Sequence, residues 1–97
     1  MGSQGMSNLD SVQHELKSWP EFFEPVLRRT KNFELRKNDR GYKIGDVLLL
    51  REWDPKTKIY SGRECRRKVE YVLEGIGTGG IEPLKGLSIG YCILGLG

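Results

Sequence analysis

The chain has 97 residues and a formal net charge of +3, with 16 Lys and Arg against 13 Asp and Glu. This length fits one domain with a modest core. No apolar run approaches the roughly 20 residues that a membrane helix needs, and no N-terminal apolar segment resembles a signal peptide. We therefore expect a cytoplasmic protein without membrane contact, in which residues 1–8 are a disordered tail or a cloning remnant and residues 9–97 form the domain.

The charge is unevenly distributed along the chain. Residues 1–27 carry one Lys against four acids, whereas residues 28–40 carry six Lys and Arg against two acids. Residues 51–70 carry seven against four. The middle of the chain is therefore basic enough to hold a polyanion such as nucleic acid. An alternative explanation is solubility, because basic residues on strand edges also block aggregation.

The cysteine and histidine content argues against a metal site. Cys65 and Cys92 are the only cysteines and His14 is the only histidine. Three such residues do not supply the four ligands of a structural zinc site. We expect two reduced, packed thiols, with no metal, no cofactor, no disulfide and no catalytic cysteine.

The first part of the chain predicts a strand followed by a short helix. Val12–Trp19 alternates in the manner of a strand, and the helix is predicted from Pro20 to Arg29. Ser18 is placed to cap this helix, and proline suits its first turn. Arg28 and Arg29 fall in the predicted last turn, where cations favour the helix dipole.

A second strand is predicted directly after the helix. Phe33 and Leu35 alternate there with Glu34 and Arg36, which is the period of a half-buried strand. Glu34 and Arg36 then share the polar face, and Lys31 lies where the chain enters the strand. A solvated face with an ordinary ion pair is the simpler explanation of this spacing.

The rest of the chain predicts further strands. A long hairpin is expected over Val47–Leu73, a glycine-rich loop over residues 75–86 and a final strand over Leu87–Leu96. Residues 75–80 match G-x-G-x-x-G, but Pro83 prevents the helix that a dinucleotide site requires. About five strands with one or two short helices indicate a small α+β domain, and so few twisted strands tend to close into a barrel.

Residues 29–36 resemble the G-x-K-x-x-E-x-R motif of the ASCH domain, in the PUA-like superfamily. Lys31, Glu34 and Arg36 match the motif, whereas Arg29 replaces its glycine. The resemblance covers roughly residues 12–97 and continues through His14–Lys17, Trp19–Phe23, Asn38–Arg40, Gly45–Asp46 and Tyr60–Glu64. It points to the small bacterial and phage branch, and it implies a compact β-barrel of five or six strands that binds RNA.

A strand–helix–strand path brings the residues before and after the helix together, which predicts a basic cleft beside it. Lys and Arg suit phosphate, and Glu34, kept ionised by Arg36, suits an exocyclic amine of a base. The predicted ligand contacts are His14, Lys17, Lys31, Glu34, Arg36, Asn38, Arg40 and Arg63. The aromatic residues available for stacking are Trp19, Tyr42, Trp53 and Tyr60. For His14, a hydrogen-bonded structural role is the alternative.

These features predict a monomeric binding module for RNA or a nucleotide, without turnover. One ASCH branch resembles an amidohydrolase acting on acylated cytidine, with a Lys and a Thr three residues later. Lys31 matches that Lys, but Glu34 occupies the Thr position, so the hydroxyl nucleophile is missing. We therefore assign no catalytic residue and expect Glu34 to recognise a base. An amidohydrolase, or a regulatory role through protein contacts, remains the alternative.

Overall fold

The computed structural model describes residues 11–74 and 90–97. Its elements are β1 (His14–Ser18), α1 (Pro20–Leu27), β2 (Phe33–Lys37), β3 (Val47–Asp54), β4 (Ile59–Glu74) and β5 (Tyr91–Leu96). The five strands form one mixed sheet in the order β1-β3-β4-β5-β2. β1 runs parallel to β3, and the other neighbours are antiparallel. The predicted α+β class is confirmed, and within these ranges no backbone ladder joins the edge strands β1 and β2.

The predicted hairpin between Val47 and Leu73 is confirmed as the antiparallel pair β3–β4, in which Val47 lies opposite Lys68. β4 is the longest strand described, with 16 residues from Ile59 to Glu74. Its first part pairs with β3 and its last part, from Val69, pairs with β5. β4 is thus the central strand, which joins β3 on one side of the sheet to β5 on the other. The predicted loop over residues 75–86 and the start of the predicted last strand lie outside the described residues.

Helix α1 begins at Pro20, whose fixed backbone angle suits the first helical position. The prediction that Ser18 caps this helix is wrong, because Trp19 occupies the N-cap position and makes no side-chain cap hydrogen bond. Ser18 instead ends β1, where its side chain is buried. Phe23 and Val26 are fully buried and belong to the core that α1 forms with the sheet.

The end of α1 fixes the path of the chain into β2. The helix stops at Leu27, two residues before the predicted end, and Arg29 adopts the left-handed conformation with φ 64°. The carbonyl of Pro25 then accepts the backbone N–H groups of Thr30 and Lys31, at 2.9 and 3.1 Å. These two bonds hold Lys31 at the point where the chain turns towards β2.

Arg67 supplies the cation at the C-terminus of α1. Its side chain is buried, and its Nη2 donates to the carbonyls of Val26 at 2.8 Å and Leu27 at 3.3 Å. A cation at this end of a helix satisfies free carbonyls and interacts favourably with the dipole. The sequence assigned this role to Arg28 and Arg29, but both lie beyond the end of the helix, and Arg28 pairs with Glu24 at 2.6 Å.

Cys65 and Cys92 are free thiols buried in the core, and burial raises the pKa of both. We expect a thiol-specific chromogenic reagent to modify them at least roughly a hundredfold more slowly in the native protein than in guanidinium chloride, because reaction requires opening of the core. The increase in absorbance after the reagent is added gives the rate of thiol modification in the native protein and in guanidinium chloride. A native thiol that reacts at the unfolded rate would show that the core does not enclose it.

Candidate functional site

A cleft of about 520 Å³ lies where the segment before α1 meets the segment after it. Its walls are Lys17, Ser18, Trp19, Phe22, Lys31, Phe33, Leu35 and Arg36. We call this space the aromatic cleft. Three of the predicted ligand contacts, Lys17, Lys31 and Arg36, line it, and so does the predicted stacking residue Trp19.

The apolar walls of the aromatic cleft are unusually exposed. Trp19 is 45% exposed, Phe22 47%, Phe33 47% and Leu35 56%. The rings of Trp19 and Phe22 are stacked, with centroids 6.2 Å apart and an angle of 27° between their planes. A cluster of exposed apolar groups in one concave site typically marks a binding surface. Flat aromatic faces in particular suit stacking against another ring.

The acidic residue of the motif lies beneath this cleft. The side chain of Glu34 is only 4% exposed. Lys31 Nζ donates to its Oε1 at 3.1 Å, and Arg36 Nε donates to its Oε2 at 2.9 Å. Each carboxylate oxygen therefore has a cationic partner, which is the arrangement that a buried charge requires.

The alternation predicted for β2 is present, but the two faces are reversed. Glu34 points inward and is buried, whereas Phe33 and Leu35 point outward and are about half exposed. The charged side chain of Glu34 is therefore buried and does not face solvent as the sequence suggested. The ion pairs with Lys31 and Arg36 make the inward position possible, and the apolar residues are left to form the cleft wall.

Burial also changes the role of Glu34 in the site. This residue is absent from the cleft walls, and both of its oxygens hold cations. Each oxygen keeps a free acceptor site, so the predicted hydrogen bond to a base amine stays a prediction, although the side chain is only 4% exposed and does not line the cleft. Its geometry is that of a positioning residue, which fixes the side chains of Lys31 and Arg36 at the cleft.

The two cations held by Glu34 reach different parts of the cleft wall. Lys31 Nζ lies 5.5 Å from the ring centroid of Phe22 and 4.8 Å from that of Phe33. Arg36 Nη2 donates to the backbone carbonyl of Lys17 at 2.8 Å, so that it connects β2 with β1. Both cations are thus ordered beside aromatic surface before any ligand arrives, which lowers the cost of binding an anion.

A second, smaller cleft of about 310 Å³ adjoins this basic region. It is lined by Glu15, Leu16, Lys17, Arg36, Arg40 and Tyr60, and we call it the polar cleft. Lys17 and Arg36 line both clefts, and Lys17 Nζ also lies 4.4 Å from the ring centroid of Trp53. Arg40 Nη1 donates to the carbonyl of Glu15 at 3.3 Å.

His14 and Asn38 line neither of these two clefts. His14 Nε2 lies 2.8 Å from Asp46 Oδ2, and its ring meets that of Tyr42 edge to face at 4.7 Å. Tyr42 is a buried core residue rather than a stacking surface, and burial raises its pKa. These contacts fit the alternative given for His14, which is a hydrogen-bonded structural role. For Asn38 the structure gives a backbone N–H bond to the carbonyl of Gly90 at 2.6 Å.

Arg63 also lies away from both cleft walls. Its Nη2 is 2.5 Å from Glu24 Oε1, and its Nε is 3.7 Å from Glu52 Oε1. The hydrogen bond from Arg63, followed by that from Arg28, lowers the pKa of Glu24. Arg63 is paired with carboxylates, as Lys31 and Arg36 are paired with Glu34, but it lies outside both cleft walls and therefore suits a control.

Sequence reasoning missed four walls of the aromatic cleft, namely Ser18, Phe22, Phe33 and Leu35. No functional role was predicted for the apolar residues, because such side chains usually lie in the core. Ser18 was assigned to the helix cap, yet its buried Oγ has no hydrogen-bond partner among the described residues. One sequence feature could have indicated that Phe33 and Leu35 belong to the site. They alternate with Lys31, Glu34 and Arg36, the charged residues that form one cluster.

Neither a metal site nor a membrane-spanning helix is seen in the part of the chain that the structure describes. Over residues 11–74 and 90–97, no group of three or more His, Cys, Asp or Glu side chains is placed to hold a metal ion. In the same ranges no helix has the length and apolar character to cross a membrane.

Comparison with known proteins identifies one family. The model of a family described as a domain of unknown function, DUF3850, matches residues 13–96. A protein of Escherichia phage P2, described as an uncharacterized 12.9 kDa protein in the GpA 3′ region, is 36% identical over 61 residues. That match covers 63% of this chain and 54% of the phage protein, so the similarity spans about half the length of that relative.

Proposed function

We propose that this chain, which belongs to the DUF3850 family, is a binding module that holds RNA or a nucleotide in the aromatic cleft beside α1. One observation carries the proposal: exposed rings of Trp19, Phe22 and Phe33 share a cleft with ordered cations. Aromatic faces suit a base, and Lys and Arg suit phosphate. A ligand that combines a flat ring with a phosphate matches both halves of the cleft.

We also propose that the family is related to the ASCH domains and that its sheet approaches a closed barrel. In support, Lys31, Glu34 and Arg36 of the ASCH-like motif form a single ion-paired cluster. Further support is the bond from Arg36 to the carbonyl of Lys17, because it connects the two edge strands of the sheet.

The chemistry of the cleft favours binding over the alternative amidohydrolase. Glu34 occupies the place of the nucleophilic Thr, and both of its oxygens are held by cations. Ser18 lines the cleft, but its Oγ is buried and has no hydrogen-bond partner among the described residues, so none of those residues acts on it as a general base. Neither residue meets the requirements of an activated nucleophile.

The neighbouring polar cleft favours a short single strand over a lone nucleotide. Lys17 and Arg36 line both clefts, and Arg40 adds a cation to the second one. A strand with one base in the aromatic cleft can place its next phosphate against these side chains. Glu15 also lines the polar cleft, but its Oε2 is paired with Arg51 at 2.8 Å, which reduces its repulsion of phosphate.

The test is a titration of the isotopically labelled protein with short single-stranded RNAs, followed by NMR at two salt concentrations. Resonances of Ser18, Trp19, Lys31 and Arg36 are expected to shift, whereas those of Arg63 remain in place. If three cations each neutralise one phosphate, raising the salt fourfold weakens binding roughly 20-fold.

Two results would contradict the proposal. Shifts confined to regions remote from the aromatic cleft would move the site elsewhere, and no shift at low salt would remove RNA as a ligand. Incubation with an acylated cytidine tests the alternative: release of the free acid by the natural protein would establish a hydrolase.

A further inference from the structure

Ser18 carries a buried hydroxyl that none of the residues in 11–74 and 90–97 uses as a hydrogen-bond partner. The residue is 2% exposed, and its Oγ has no hydrogen-bond partner in the part of the chain that the structure describes. It neither caps α1 nor bonds to the charged cluster around Glu34. A buried polar group without a partner is unfavourable, and native proteins usually satisfy such groups.

The surroundings of this hydroxyl indicate what it could bind. Ser18 is a wall of the aromatic cleft and is directly followed by Trp19, whose ring stacks on Phe22. The cations Lys17, Lys31 and Arg36 line the same cleft. The site therefore combines three kinds of group: flat apolar faces, a neutral donor and acceptor, and positive charge.

We propose that Ser18 hydrogen-bonds to the polar edge of a nucleobase whose face stacks on the cleft aromatics. This inference rests on the proposed function and assigns the base, rather than the phosphate, to the inner part of the aromatic cleft. A serine hydroxyl both donates and accepts, so it can pair with a ring nitrogen, a carbonyl or an amine. Ser18 is better placed for this role than Glu34, because Ser18 lines the cleft whereas Glu34 does not.

Access to the hydroxyl requires a small movement of the cleft wall. The rings of Trp19 and Phe22 are 45% and 47% exposed, so they can move at a lower cost than the fully buried core residues. A base that displaces the part of the wall covering the hydroxyl can reach Ser18. The energy of the new hydrogen bond and of the stacking then offsets the displacement.

The charged groups of the cleft are available to the phosphate of the same ligand. Lys31 lies over Phe22 and Phe33, at the aromatic surface, and Arg36 reaches the carbonyl of Lys17. A nucleoside monophosphate can therefore contact Ser18 through its base and these cations through its phosphate. Ribose 5-phosphate, which lacks the base, can make only the second set of contacts.

The experiment compares Ser18→Ala with the natural protein by thermal unfolding and by calorimetric titration. The four nucleoside 5′-monophosphates and ribose 5-phosphate are the ligands. Because the substitution removes an unsatisfied hydroxyl, we expect the melting temperature of the free protein to rise by roughly 4 °C. Affinity for the nucleotide that fits best should fall about fivefold, whereas affinity for ribose 5-phosphate should not change.

Ser61 offers a matched control, because its hydroxyl is fully used by the fold. Its Oγ donates to Glu52 Oε1 at 2.7 Å and accepts from the backbone N–H of Arg63 at 3.0 Å. Ser61 lines neither cleft. Ser61→Ala is therefore expected to lower the melting temperature and to leave nucleotide affinity unchanged, which is the opposite of the result expected for Ser18→Ala.

The outcomes separate this inference from the proposed function. If the natural protein binds neither nucleotides nor RNA, the proposed function fails. If it binds nucleotides and Ser18→Ala binds them equally well, the role of Ser18 is refuted while the proposed function stands. A fall in melting temperature with equal losses for nucleotide and ribose 5-phosphate would make Ser18 a structural residue and would also refute the inference.

Discussion

Replacement of Glu34 by alanine is expected to lower the free energy of unfolding by about 2 to 3 kcal/mol. The variant leaves the ammonium of Lys31 and the guanidinium of Arg36 without their shared carboxylate. These two side chains are 19% and 23% exposed, so water compensates only part of the loss. Chemical denaturation with urea, followed by tryptophan fluorescence, measures the effect.

Glu24 provides the matched control for this prediction. It also binds two cations, Arg28 at 2.6 Å and Arg63 at 2.5 Å, but at the protein surface. Water and salt screen such exposed pairs, so Glu24→Ala is expected to change stability much less. Equal losses in the two variants would show that burial of Glu34 does not matter to the fold.

Replacement of Lys31 by glutamine is expected to weaken the binding of a short single-stranded RNA about tenfold at low salt, if the cation contacts one phosphate. Glutamine can still donate a hydrogen bond to Glu34, so the buried carboxylate keeps a partner. The slope of log affinity against log salt should fall by about 0.7, the value for one phosphate contact on a single strand. Fluorescence anisotropy of a labelled RNA measures both quantities.

Arg63→Gln removes the same amount of charge from a residue outside the cleft walls. Arg63 is ion-paired like Lys31 but lines neither cleft, so its contribution to phosphate binding should be small. We expect affinity and salt slope to change little in this variant. Similar losses in both variants would indicate that net charge, rather than the aromatic cleft, determines RNA binding.

Local patterns in the sequence predicted the elements of the fold well. The alternation around Phe33 predicted β2, the hairpin expected over Val47–Leu73 matches β3 and β4, and Pro20 marked the start of α1. Each of these signals depends on a few neighbouring residues and on the backbone geometry that they allow. The ends of the elements were less accurate, since Arg28 and Arg29 lie beyond the helix.

The orientation of β2 was not predictable in the same way. A period of two defines two faces of a strand but does not state which one points inward. Hydrophobicity favours the face of Phe33 and Leu35, yet the structure buries Glu34 because Lys31 and Arg36 neutralise it there. Only the three-dimensional position of the partners reveals this preference.

Contacts between distant segments explain the other differences. Arg67 interrupts an apolar alternation in β4, and the reason is the C-terminus of α1, whose carbonyls lie about 40 residues earlier in the chain. The candidate site also depends on contacts between distant segments of the chain. The sequence identified Lys31, Glu34 and Arg36 as a group, but the position of Ser18 beside them depends on how β1 and β2 approach each other.

The two arginines that reach β1 have a consequence for the behaviour of the protein at high concentration. Arg36 and Arg40 donate to the carbonyls of Lys17 and Glu15, on an edge strand of the sheet. Unpaired carbonyls on such an edge are a template onto which a strand from another molecule can add. Truncation of either arginine exposes one of these carbonyls to self-association. A loss of RNA binding in such a variant is therefore interpretable only when light scattering shows that the protein is still dispersed.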